Sequence, residues 1–205
     1  MHAPSEKQAM PAPVEELNTT TRLIHLGMVV FGISSWLTGE LAEDFEEAGD
    51  HSGYDIHSWL GIALTVFVVL RILYGLVGPR TARFSHWLPW TRERLGQVMQ
   101  DIRGLLVFRL PDRPTHQGLS GLVQAFGLLV FTWMALTGLI LFVMLEPGVE
   151  PVGVAHFIEE LHEVGESLIP LYLALHVGAV VLHALAGRHK WRRMFFFPGK
   201  SGKQE

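Results

Sequence analysis

The chain has 205 residues, 49% of them hydrophobic, no cysteine and a formal net charge of −4, and its mean hydropathy is positive, +0.28. That balance points to lipid rather than water as the main solvent. The missing cysteine excludes disulfides, thiolate metal sites, iron–sulfur clusters and the covalent C-x-x-C-H attachment of haem, so any metal must rest on histidine.

Residues 1–18, with Pro4, Pro11 and Pro13, read as a mobile tail. A first apolar segment runs from Leu23 to Thr38 and is marginal in length for a hydrocarbon core that needs about 20 helical residues. Its position invites a signal-peptide reading, but it lacks a basic n-region and a small-residue cleavage site. Three longer segments follow, Ile56 to Val77, Leu119 to Leu145 and Leu168 to Ala186.

Between the second and third segments lies a connection from Gly78 to Gly118. Within it, "TRERLGQVMQDIRGLLVF" sets Leu95, Val98, Met99, Ile102, Leu105 and Leu106 at helical spacing, opposite Arg92, Glu93, Gln100 and Arg103. With Trp87 and Trp90 just before it, this stretch reads as an interfacial helix lying on the membrane surface. Before the fourth segment, "VGVAHFIEELHEVGESLIP" has helical spacing of its own, so that helix starts near Pro151 or Val152 and continues past Pro170, which removes one backbone hydrogen bond and bends it. The expected architecture is all-α: a four-helix transmembrane bundle over residues 19–197 with an amphipathic interfacial helix in the second connection, flanked by tails at 1–18 and 198–205.

Charge sets the orientation. The connection after the first segment carries Glu40, Glu43, Asp44, Glu46, Glu47, Asp50 and Asp55 and no Lys or Arg; the connection after the third carries Glu146, Glu150, Glu159, Glu160, Glu163 and Glu166, again with none. Basic residues collect between the second and third segments, from Arg80 to Arg113, and after the fourth, from Arg188 to Lys203. By the positive-inside rule both termini and the long connection face the cytoplasm, in a multi-pass membrane protein.

His162 and His176 lie in one helix 14 residues apart, a rise of roughly 21 Å and four turns less about 40°, so both project from nearly one face at opposite depths. Depth alone supplies partners: His57 opens the second helix from outside, and His25 sits one turn inside the cytoplasmic end of the first. A pair therefore forms near each membrane face, His57 with His162 and His25 with His176. Zinc favours three or four clustered ligands, whereas haem iron takes two on opposite sides of a flat plate, so paired imidazoles suit haem better. Each histidine also has an ordinary reading as a polar contact between helices.

Arg71 lies 14 residues after His57 on nearly the same face, where it would meet a haem propionate or else snorkel to the inner headgroups. Gly27, Gly32, Gly61, Gly127 and Gly138 permit close approach of a flat cofactor or of a neighbouring helix. His183, seven residues beyond His176, is either an alternative inner ligand or an interfacial residue bonding a propionate or water. His51, His86, His116, His156 and His189 default to solvated loop or interface residues.

"RLIHLG", "DIHSWLG" 32 residues later, "VVLRILYGLVGP" and "LHEVGESLIPLYLALHVGAVVLH" together resemble the prokaryotic cytochrome b561 family, over about residues 20–197. The long connection with "ARFSHWLPW" and "PTHQGLSG" and the tail "RRMFFFPGK" are similar to the branch that holds the b-type subunits of nickel–iron hydrogenases. Where that branch has a G-H-N-P motif this chain has His116 and Gln117, and Gly121 and Gln124 stand where some members have histidines.

The resemblance implies two non-covalent bis-histidine haem b groups, one on His25 and His176 and one on His57 and His162, with His183 outside the ligand set. It further implies single-electron transfer between membrane quinone and a redox protein, and the acidic outer connections point to a periplasmic one, a c-type cytochrome or an oxidoreductase subunit. Thirteen of the 20 acidic residues fall in the two outer connections, which would steer a basic partner toward the outer haem. Nothing reads as a nucleotide, flavin or nucleic-acid site. Two other functions remain open at this point: a self-sufficient quinone reductase using a small donor such as superoxide, and a haem-free histidine-lined metal or proton transporter.

Overall fold

The computed structural model describes residues 18–47, 51–113, 116–146, 149–189 and 191–195, with the side chains of 40–47 and 193 left aside. The expected tails at 1–17 and 198–205, and the acidic side chains from Glu40 to Asp50, lie outside what is described. All regular structure among the described residues is helical: α1 (Thr19–Glu47), α2 (Ser52–Val77), α3 (Phe84–Trp87), α4 (Arg92–Leu106), α5 (Leu119–Met144), α6 (Val154–Leu185) and α7 (Arg192–Phe195).

Three of these helices, α2, α5 and α6, are long and apolar enough to cross a membrane. Their outward faces carry Val66, Leu70, Leu129, Leu136, Leu171 and Val181, all well exposed, a pattern that water would penalise and hydrocarbon accepts because every backbone group is paired within its own helix. The helix over the first apolar segment runs well beyond Leu23 to Thr38 at both ends. Asn18 starts it: the side-chain oxygen accepts from the backbone N–H of Thr21 at 2.9 Å and from the Thr21 hydroxyl at 2.7 Å, satisfying donors that the first turn leaves open. The amide of Asn18 also reaches the Tyr74 hydroxyl at the end of α2.

Packing follows chain order: α1 lies along α2, α2 against α5, and α5 against α6. Leu64 and Val68 of α2 meet Phe131 and Ala135 of α5 in a buried cluster, closed by Met28 and Phe31 of α1 and Tyr172 of α6. α6 makes its extensive backbone contact with α5, whereas toward α1 and α2 the approach is by side chains.

α4 occupies the stretch where the spacing predicts an amphipathic helix. Leu95, Met99, Ile102, Leu105 and Leu106 on it are exposed, and Val98 and Asp101 are buried. Asp101 ties α4 to α5 by taking the Arg113 guanidinium on one oxygen at 2.7 Å and the backbone N–H of Leu119 on the other at 2.9 Å. The carboxylate thus serves the N-terminus of α5, where negative charge is favoured. At the far end of α6, Arg188 donates to the Pro111 carbonyl at 3.1 Å and fixes the same connection from the other side.

Asp101→Ala leaves a buried N–H and a guanidinium without their acceptor, and is expected to cost about 1–3 kcal/mol and to speed tryptic cleavage at Arg109. Thermal unfolding and limited proteolysis of the purified protein measure both, and Asp101→Asn, which keeps one acceptor, is expected to cost less.

Candidate functional site

α6 carries the frame of the site, because its 14-residue spacing sets His162 and His176 on one side of the helix facing α2 and α1. Each meets one histidine there. The rings of His57 and His162 have centroids 6.3 Å apart at 87°; those of His25 and His176 are 6.4 Å apart at 47°. Two imidazoles that each present a nitrogen at about 2 Å to a shared ion have ring centres about 6 Å apart, so both pairs stand at a separation that suits one metal ion between them. Among the described residues no three His, Asp or Glu side chains gather as a metal-binding group; the arrangement is two separate pairs.

Hydrogen bonds orient the His57/His162 pair. The Nδ1 of His57 lies 3.0 Å from the Ser35 carbonyl, which only accepts, so Nδ1 carries the proton and Nε2 keeps its lone pair. The Nδ1 of His162 lies 2.7 Å from the Thr137 hydroxyl. That hydroxyl is 2.9 Å from the Trp133 carbonyl and spends its proton there, so it accepts from His162 and again leaves Nε2 free. Both rings are therefore held by one nitrogen with the other available, as imidazoles that bind metals are usually held. A cavity of about 190 Å³ adjoins them, lined by Gly32, Gly39, Gly61 and Gly138, by apolar side chains, and by the carboxylates Glu159, Glu163 and Glu166. A methyl group at Gly138 would stand 3.1 Å from Cε1 of His162, too close without moving the ring.

Aromatic rings hold the other pair. Tyr172, one turn before His176 on α6, stacks on it at 5.5 Å and 21°, and Phe195 of α7 stands edge-on to His25 at 6.0 Å. The Tyr172 ring lies over Gly127 so closely that a Cβ there would overlap it. Nδ1 of His25 is buried with no hydrogen-bond partner among the described residues.

The guanidinium of Arg71 sits over the rings of Phe84 at 5.3 Å and Trp87 at 5.4 Å, and its Nη1 is buried with no hydrogen-bond acceptor among the described residues. His183 is half-buried in the last turn of α6. His51, His156 and His189 are exposed. His116 differs from the solvated residue expected: it is half-buried beside Trp87, its ring centre 6.4 Å away, and hydrogen-bonded to Gln124. Burial first, and then the Arg71 charge, lower its pKa to about 4 against the opposing pull of Gln124. Sequence reading also passed over Ser35, Thr137 and Tyr172; only Tyr172, one helical turn from His176, carried a local sign.

An all-helical chain with membrane-crossing helices and opposed imidazoles at both ends of α6 falls in the class of helical membrane proteins suited to metal cofactors. The chain belongs to the prokaryotic cytochrome b561 family, whose profile matches residues 16–197. Members are membrane b-type cytochromes of electron transport, and the chain is accordingly a haem-binding membrane protein. No curated protein and no solved structure matched it.

With a folded-state pKa of about 4 against about 6.5 in the unfolded chain, His116 binds more protons when unfolded, so stability falls as pH drops through that window. Replacing His116 by Gln is expected to flatten the decline in melting temperature between pH 6.5 and 4, read as a difference between variant and parent. Gly127→Val, which overpacks against Tyr172, is expected to cost about 1–3 kcal/mol in the same melting assay.

Proposed function

We propose that the chain is a dihaem cytochrome that passes single electrons across the bilayer between membrane quinone and a periplasmic redox partner, a c-type cytochrome or an oxidoreductase subunit. The observation that carries this reading is the pair of histidine pairs, 6.3 and 6.4 Å between ring centres, at the two ends of α6. His57 and His162 would hold one haem b through Nε2, and His25 and His176 the other.

The residues present fit that group. The Nε2 atoms of His57 and His162 are free, glycines line the adjoining cavity, and the buried nitrogens of His25 and Arg71 lack acceptors, a cost of about 1–3 kcal/mol each when left unmet. Arg71 is a suitable counter-charge for a propionate. Bis-histidine haem iron has no open coordination position and exchanges single electrons.

The chain's own residues do the rest. Ser35 and Thr137 fix ring orientation and ligand basicity. Leu64, Val68, Phe131 and Ala135 form a buried apolar cluster that would exclude water from the bundle. The orientation rests on charge: arginines crowd the connection between α2 and α5, whereas acids gather from Glu40 to Asp55 and from Glu146 to Glu166 with no Lys or Arg among them, so the His25/His176 pair would face the cytoplasm and the His57/His162 pair the periplasm, with four spans formed by α1, α2, α5 and α6 and α4 lying on the inner surface. The acidic outer surface favours a basic partner.

Purified protein is expected to contain about two haems per chain and to show sharp α and β bands on reduction. His25→Ala and His176→Ala should each remove the same half of the reducible absorbance, and His57→Ala and His162→Ala the other half; loss of different haems by His25→Ala and His176→Ala would refute the pairing. Thr137→Val removes the acceptor for His162 Nδ1 and is expected to raise the midpoint potential of the His57/His162 haem alone in a redox titration, because a less basic imidazole stabilises ferric iron less.

A further inference from the structure

Outside the histidine pairs, one cluster of charge has no use in electron transfer. Arg80, Arg83 and Arg94, with Ser85 and His86, line a cleft of about 390 Å³ between the end of α2 and the start of α4. Nε of Arg83 donates to the Gly78 carbonyl at 2.6 Å and Nη1 of Arg94 to the Leu88 carbonyl at 3.0 Å. Each of these guanidinium groups is thus anchored by one backbone acceptor, with its remaining donors uncommitted. None of the three arginines pairs with a carboxylate among the described residues.

Three positive charges converging without an acid form an anion site, and arginine forks with a nearby hydroxyl match the tetrahedral oxygens of a phosphate. The surroundings indicate what carries that phosphate. α2 is a membrane-crossing helix that ends at Val77, and Arg80 follows three residues later, so the cleft opens where the chain leaves hydrocarbon. Leu76 and Val77 before it, Trp90 beside it and Leu95 after Arg94 are all more than half exposed. A free anion would use the arginines and ignore these apolar neighbours, whereas a phospholipid uses both: phosphate on the forks, acyl chains along the end of α2.

We propose that this cleft binds the phosphodiester headgroup of an anionic phospholipid. Binding there would pin the α2 to α4 connection to the membrane surface. The proposal is independent of haem occupancy and needs only that α2 span the bilayer.

The test uses the full-length protein in nanodiscs of phosphatidylcholine with and without phosphatidylglycerol, followed by transfer to mild detergent and native mass spectrometry of retained lipid. Arg83→Gln/Arg94→Gln is expected to lower phosphatidylglycerol retention at least about tenfold, while Arg103→Gln/Arg109→Gln, which removes the same charge from exposed positions on the same connection, stays within about twofold of the parent. Millimolar inorganic phosphate is expected to leave the retained lipid in place. Circular dichroism and melting temperature establish that each variant is folded; should the double variant not fold, Arg94→Gln alone is expected to lower retention several-fold. Equal retention by parent and cleft variant, equal loss in both double variants, or full displacement of the lipid by inorganic phosphate would each overturn the proposal.

Discussion

The structure turns on a separation: α6 is held off from α1 and α2 by an amount that leaves two imidazole pairs at nearly the same spacing, 6.3 and 6.4 Å, at positions 14 residues apart on one helix. Helices with apolar faces would otherwise close until their side chains interlock. α5 sets the distance, since it packs against α2 on one side and α6 on the other, and its Phe131 wedges between the α2 aliphatics and Tyr172. Gly32, Gly39, Gly61 and Gly138 line the cavity beside the His57/His162 pair.

Polar atoms inside so apolar a body need internal partners, and most that are described have them. Ser35 and Thr137 are buried, one offering its carbonyl and the other its hydroxyl to a histidine, and Thr65, Thr132 and Thr137 return their hydroxyl protons to carbonyls one turn back. Nδ1 of His25 and Nη1 of Arg71 stand apart from that rule, and both sit toward the same end of the molecule. In the proposed reading a haem with its propionates meets both needs at once, and His116, neutral and packed between Trp87 and Gln124, completes the wall there.

The long connection between α2 and α5 is bound to the helices rather than trailing from them. Asp101, Arg113 and Arg188 lash it to α5 and α6, which leaves its other arginines at the end of α2 with charge to spare. In the proposed reading, membrane attachment and cofactor sites occupy different parts of one small chain.

Helical class, the apolar segments, the charge asymmetry and the 14-residue spacing of His162 and His176 were legible in the sequence, because each depends on local composition or on the fixed rise and twist of a helix. So was the identity of the facing histidines, since depth in a membrane orders residues from different helices on a common axis. Ser35 and Thr137 as ring partners, Asp101 as the clasp on α5 and the burial of His116 were decided only by tertiary structure. A hydroxyl, a carbonyl or an isolated carboxylate acquires its role from what another helix brings within 3 Å of it, and no periodicity along the chain encodes that distance.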